Sequence, residues 1–241
     1  RQAVRRQIKE GSDWIKLMGS HRGPTCELTQ DEMDAAVDEA HSWGKKCCIH
    51  AGSELSIERA INAGIDTIEH GTFMTPAQAE RARDKGIAWV PTVLINKTYY
   101  EYAQDLMDKP AHERSMSDQL LMEESYTHFR NSYNWHKDNF AAIMATGIKI
   151  AAGTDMIFER YPLTPVGEEL ILMAELGMPP MDTIRCATAN AADILGIEQQ
   201  TGRIKAGLCA DLLVVDGDLT ADLTNIRNIN AVYRNGRLVH S

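Results

Sequence analysis

The sequence predicts an α/β protein, a parallel sheet wrapped by helices and followed by a small β-module. Three observations predict it. Short apolar segments alternate with helical stretches from the start to about residue 195, and repeated strand–loop–helix units build a parallel sheet with covered faces. Glycines at positions 44, 64 and 86 close successive helical stretches, as a helix end favours. After Gly196 the texture changes to short β-prone segments divided by glycine turns.

The elements follow in order. An amphipathic opening carrying Val4 and Ile8 leads through Gly11 to a strand, WIKLM, at 14–18. A glycine and proline loop from Gly19 to Pro24 follows, and a helix begins near Thr29. Thr29 and Glu32 have the spacing of a capping box, and that helix ends at Gly44. CCIHA (47–51) is the second strand, followed by a helix from Leu55 to Ala63. TIEHG (67–71) is the third strand. Thr75-Pro76 opens a helix that Gly86 stops, and AWVPT (88–92) is the fourth strand. A long polar and aromatic helical region, about 97–146, precedes the fifth strand, IKIAAGTD (148–155). A loop and helices at about 165–176 and 180–195 complete the pattern. In the tail, Asn235-Gly236 between Val232-Tyr233 and Leu238-Val239 signals a type I′ hairpin. The expected division is therefore 1–196 and 197–241. A closed (β/α)8 barrel needs about 250 residues, and only five strands precede the tail. Either the sheet is smaller and open, or three strands are missing at the N-terminus.

Composition narrows the partners. The chain has 241 residues, 44% hydrophobic and 24% charged, with a formal net charge of -9. That acidity argues against nucleic acid or an anionic membrane as the main partner. No apolar run approaches the roughly 18 residues of a membrane span, and the opening RQAVRRQIKEGSDW is no secretory signal. Five cysteines, two of them adjacent and none in a CxxC pair, argue against a disulfide framework or a zinc knuckle. Cys47 and Cys48 read as small core residues. A reducing, cytoplasmic setting is the expectation.

Four titratable residues fall at or near the C-terminal ends of the expected strands: Lys16, His50, His70 and Asp155. Parallel α/β folds place their sites at that edge. Lys16 stands mid-strand between Ile15 and Leu17, where an ammonium needs a carboxylate partner or a chemical role. A carbamylated Lys16 would be such a role, because carbon dioxide turns the amine into an anion with two oxygens. His50 and His70 precede Ala51 and Gly71, and neutral imidazole is a common ligand of zinc-like ions. Each alone reads as a satisfied core histidine; together with Lys16 and Asp155 they read as ligands. Asp155 reads as a turn cap or as a ligand that also takes a proton from water. Glu69 is expected on the opposite face of its strand. His21 is a substrate-facing candidate, although an exposed loop histidine is the better fit. Tyr99, Tyr100 and Tyr102 line a pocket or pack between helices. His41, His112, His128 and His136 read as solvated or structural.

The order WIKLM, CCIHAG, TIEHG and IAAGTD, with PPMDTIRCATANAADILGI and TGRIKAGLCADLLVVDGD, resembles the amidohydrolase superfamily. The resemblance is to its prolidase-like and imidazolonepropionase-related hydrolases, and it covers essentially the whole chain. It implies a distorted TIM (β/α)8 barrel, of which strands 4 to 8 are present, with part of a small β-sandwich at the C-terminus. It implies two divalent metal ions, usually zinc, bridged by carbamylated Lys16 and a hydroxide. His50 and His70 would bind the second metal; Asp155 would bind the first and act as base, then acid. The implied activity is hydrolysis of a C–N amide bond by metal-activated hydroxide, in a dipeptide of the Xaa-Pro or Xaa-Arg/Lys type. A mononuclear cyclic-amide hydrolase of imidazolonepropionase type, or a non-catalytic barrel fragment needing a partner segment, are the alternatives. The sequence departs from the family at two points. No His-x-His pair is present, which points to a missing N-terminal segment, to a homo-oligomer or another polypeptide that supplies it, or to an inactive protein. Gly52 stands where the branch often has a histidine.

Overall fold

Helix starts are written locally and the sheet follows from them. A computed structural model describes residues 1–20, 25–155 and 166–241, without the side chains of residues 120, 121 and 123–125. It forms two compact units, 1–149 and 150–241.

In the first unit, α1 (Gln2–Lys9) precedes β1 (Trp14–Met18). Then α2 (Gln30–Ser42), β2 (Lys46–Ala51), α3 (Glu54–Ala63), β3 (Thr67–His70), α4 (Pro76–Asp84) and β4 (Ala88–Val90) alternate. The strands pair in parallel, in the order β1-β2-β3-β4. The Trp89 N–H continues the ladder by donating to the Lys149 carbonyl at 2.8 Å.

Thr29, Ser53 and Thr75 each cap the helix that follows with a reciprocal capping box. Each side chain accepts from the N3 backbone while the N3 side chain accepts from the cap's N–H, which satisfies two otherwise orphaned donors. Period-2 alternation then sorts β2. Cys47, Ile49 and Ala51 are wholly buried, whereas Lys46, Cys48 and His50 on the other face are half-buried. Burial pushes the Cys47 thiol up to about 12, as an inert core residue requires.

Two further helices close this unit, α5 (Val93–Asp108) and α6 (Met116–Ala145). The expected single region at 97–146 starts earlier and is broken. Pro110 holds Lys109 extended (φ -74, ψ 143), which ends α5, and Ser115 caps α6 with a fourth capping box. Tyr99 stacks on Phe129 at 4.3 Å, Tyr100 leans on Tyr126 and Tyr133, and the Tyr102 hydroxyl donates to Asp118. The tyrosines thus pack α5 on α6.

An ion pair ties α1 to α2. Arg5 donates to Glu39 through Nε (2.6 Å) and Nη2 (3.0 Å), and Trp43 Nε1 adds a third bond at 3.0 Å. The Arg5 bond chiefly holds the Glu39 carboxyl at about 2, below its ordinary 4.5. A depressed carboxyl contributes stability that is present above pH 4.5 and lost as pH falls through about 2. Glu39→Gln is therefore expected to flatten the acid limb of the stability curve across that window, read by urea unfolding at a series of pH values. An acid limb identical to wild type would dismiss the pair.

In the second unit, α7 (Val166–Glu175), α8 (Pro180–Ala187) and α9 (Ala189–Leu195) precede β5 (Leu212–Val215), β6 (Ile229–Arg234) and β7 (Arg237–His240). These strands form an antiparallel sheet in the order β5-β6-β7. Asn235 (φ 49) and Gly236 (φ 72) turn β6 into β7, the two positive φ values a type I′ turn needs. The expected helix at 180–195 is split at Thr188 (φ -126, ψ -94), whose hydroxyl donates to the Ile184 carbonyl. The segment expected as a fifth strand (148–155) is no regular strand; only Ile150 makes an isolated strand-like pairing. It is anchored instead by Asn190 Nδ2 to the Ile150 carbonyl (2.9 Å) and by Ala152 N–H to the Cys186 carbonyl (3.1 Å). Among the described residues no helix is long and apolar enough to cross a membrane.

Candidate metal centre

Parallel register decides which side chains share a face. Lys16 of β1 is level with Cys48 of β2, and His50 of β2 is level with Glu69 of β3. Lys16, Cys48, His50 and Glu69 therefore share one sheet face, opposite the buried Cys47, Ile49 and Ala51. Burial raises the Cys48 thiol to about 11, with Lys16 lowering it and Glu69 raising it. Those opposed effects place the three in one electrostatic neighbourhood. Thr67 Oγ1, on the same face, donates to Glu69 Oε1 at 2.6 Å.

This corrects the expectation for Glu69, which was assigned to the far face because His70 was assigned to the near one. Strict alternation allows only one of two adjacent residues on a face. The strand ends at His70, where φ is 65, so its side chain escapes the alternation. Its ring meets His50 edge-on, with centroids 4.3 Å apart. Both residues thus serve the His50 side.

His70 is held at both ends. Nδ1 is bonded to Thr92 Oγ1 at 2.6 Å, and its carbonyl accepts from Trp89 Nε1 at 2.7 Å. The next residue, Gly71 (φ 59), leaves room for that indole, because a Cβ there would lie 2.6 Å from Trp89 Nε1. Burial, with smaller contributions from His50, Lys16, His136 and His128, pushes the His70 imidazole well below its ordinary value of 6.5. A neutral ring is the form that ligates metals.

Sequence reasoning left His136 as solvated or structural and did not tie it to His70. His136, on α6, is wholly buried and lies parallel to the Trp89 ring at 6.2 Å. Burial pulls it down to about 4, against the backbone carbonyls of Ser132, His70 and Pro91. No sequence signal separates it from His112, which is exposed. His41, also among the residues expected to be solvated or structural, pairs with Asp66 at 2.8 Å.

The structure thus brings Lys16, His50 and His70 to one region of the first unit. Asp155 belongs to the second unit, at the exposed end of residues 150–155, with φ 51. His21 lies outside the described residues. Among the described residues no group of three or more His, Cys, Asp or Glu side chains is gathered to hold a metal. The donor chemistry of the His50–His70 pair nevertheless fits a divalent ion: two imidazoles in ring contact, one of them held neutral and oriented through Nδ1.

Comparisons with known proteins give the family. The chain is 26% identical over 250 residues to an ochratoxinase of Aspergillus niger, covering 99% of this chain and 48% of that protein. Among solved structures it matches a Xaa-Pro dipeptidase with bound methionine in its active site, at a TM-score of 0.85 and 30% identity. That match covers 100% of this chain and 57% of the other. A prolidase complexed with N-methylphosphonate-L-proline matches at 0.84 and 27%, over 99% of this chain and 57% of the other. The chain spans about half the length of the curated relatives it matches. With residues 1–239 also matching the family's sequence profile, the chain belongs to the amidohydrolase family.

Proposed function

We propose that the protein is a metal-dependent hydrolase that cleaves a C–N amide bond of a small substrate, a dipeptide of the Xaa-Pro or Xaa-Arg/Lys type. The observation that carries this reading is the contact of the His50 and His70 rings on the sheet face that also bears Lys16. The dipeptidase and prolidase among the similar structures support the substrate class.

Each residue has a role in the proposal. The neutral amine of Lys16 adds to carbon dioxide, forming an N–C bond and releasing a proton, to give a carbamate with two donor oxygens. His50 and His70 supply imidazole nitrogens. Asp155 takes a proton from water and returns it to the leaving amine, and His21 contacts substrate. Two divalent ions, zinc by donor type, would polarise the scissile carbonyl and lower the pKa of a water.

The unbroken order β1-β2-β3-β4 supports a barrel, since a doubly wound sheet reverses its strand order. A distorted (β/α)8 barrel over 1–196, with 197–241 contributing to a β-sandwich, belongs to the same proposal. So do a cytoplasmic setting and completion of the site by a further segment or a second copy.

The test is the metal content of the purified protein, by plasma mass spectrometry, together with amino-acid release from a dipeptide panel. About two metals per site with dipeptide turnover is the expected result. About one metal with turnover of a cyclic amide would transfer the chain to the mononuclear class. A folded protein with neither metal nor turnover would overturn the proposal.

A further inference from the structure

We propose that Thr92 is a positioning residue for His70, its hydroxyl accepting the Nδ1 proton and so fixing the ring plane and tautomer in which Nε2 carries the lone pair. The inference rests on the reading of His50 and His70 as metal ligands and deepens it.

Three independent features of the backbone and packing support it. First, the Nδ1–Oγ1 distance is 2.6 Å and both residues are buried, at 8% and 3% exposure. A hydrogen bond there is shielded from competing water. Second, both partners adopt left-handed backbone, His70 at φ 65 and Thr92 at φ 47. That region is unfavourable for a β-branched residue, at about 1–3 kcal/mol, and persists only where surroundings over-determine it. Third, the other end of His70 is also held from the chain at the end of β4. Trp89 Nε1 donates to its carbonyl, and Gly71 alone leaves space for the indole. The ring end is thus set by Thr92 and the backbone end by Trp89, three residues apart on one segment.

The tautomer matters because only the unprotonated nitrogen can ligate. An Nδ1–H donated to an oxygen leaves the lone pair on Nε2, and the same bond holds the ring against rotation. A valine at 92 has the shape of threonine and the same β-branch, but no hydroxyl.

The experiment uses the whole chain. Long-range 1H–15N spectra of the imidazoles identify the His70 tautomer without added metal, and titration with Co(II) alone, followed by visible absorption, gives the affinity. Wild type is expected to show the Nδ1–H tautomer. Thr92→Val is expected to lose that preference and to weaken Co(II) binding by about 10- to 100-fold. Thr92→Ser, which keeps the hydroxyl, is expected to recover both to within a few-fold. An Nε2–H tautomer in wild type overturns the inference even if Thr92→Val fails to fold, as does a folded Thr92→Val with wild-type tautomer and affinity. Absence of Co(II) binding in wild type strikes the metal reading itself, and the tautomer spectra then decide the role of Thr92 separately.

Discussion

Lys16→Ala is expected to abolish amide hydrolysis and to remove stoichiometric metal while leaving the fold in place. Lys16 is exposed on its strand, level with Cys48, and contributes no core packing. A substitution at such a position changes stability by about 0.5 kcal/mol or less. The loss of activity should be far larger, about 1000-fold or more, the scale on which a preorganised charge at a reaction centre acts. The measurements are kcat/KM on the best dipeptide, metal content and the melting temperature. Added formate or acetate supplies the carboxylate oxygens that the carbamate would have offered, so partial restoration of metal binding is expected. A variant that keeps both metal and turnover would show that Lys16 carries no carbamate.

Trp89→Ala is expected to cost about 3–5 kcal/mol of stability, the range for truncating a buried aromatic side chain. Trp89 is wholly buried, packs on Phe140 at 5.4 Å and on His136 at 6.2 Å, and donates to the His70 carbonyl. Its removal leaves a cavity and takes one hydrogen-bond donor from the His70 carbonyl. Urea unfolding should show a midpoint shifted with an unchanged slope. A loss below about 1 kcal/mol would mean that the surrounding helices collapse into the space.

How legible was this in the sequence? The parallel strands were, because their apolar text is bounded by capping residues and glycines that act within a few residues. WIKLM falls on β1 without adjustment, and Thr29, Thr75 and Gly64 mark helix ends where they were expected. His50 and the sheet face of Lys16 follow from period-2 alternation. The alternation fails where the backbone leaves the extended region. His70 and Thr92 take positive φ without being glycine, and no local pattern announces that, so Glu69 was placed on the wrong face. The Thr188 break, at φ -126 and ψ -94, is likewise something that propensity alone does not reveal. His136 reads in the sequence only as solvated or structural, because its burial comes from packing against Trp89, 47 positions earlier, a tertiary fact.

The four capping boxes at Thr29, Ser53, Thr75 and Ser115 bear on how such a protein diversifies. The reciprocal pair of each start signal is closed within four consecutive residues, even where a member also bonds elsewhere, as Asp118 does to Tyr102 and Gln78 to the Glu54 carbonyl. The residues between a strand end and its following cap, such as 72–74 after Gly71, can therefore lengthen or shorten while the helix still begins at its own threonine or serine. Insertions there reshape the rim that meets an incoming molecule and leave the strand register untouched. Descendants of one ancestral sequence can explore different molecules this way, with the frame inherited intact.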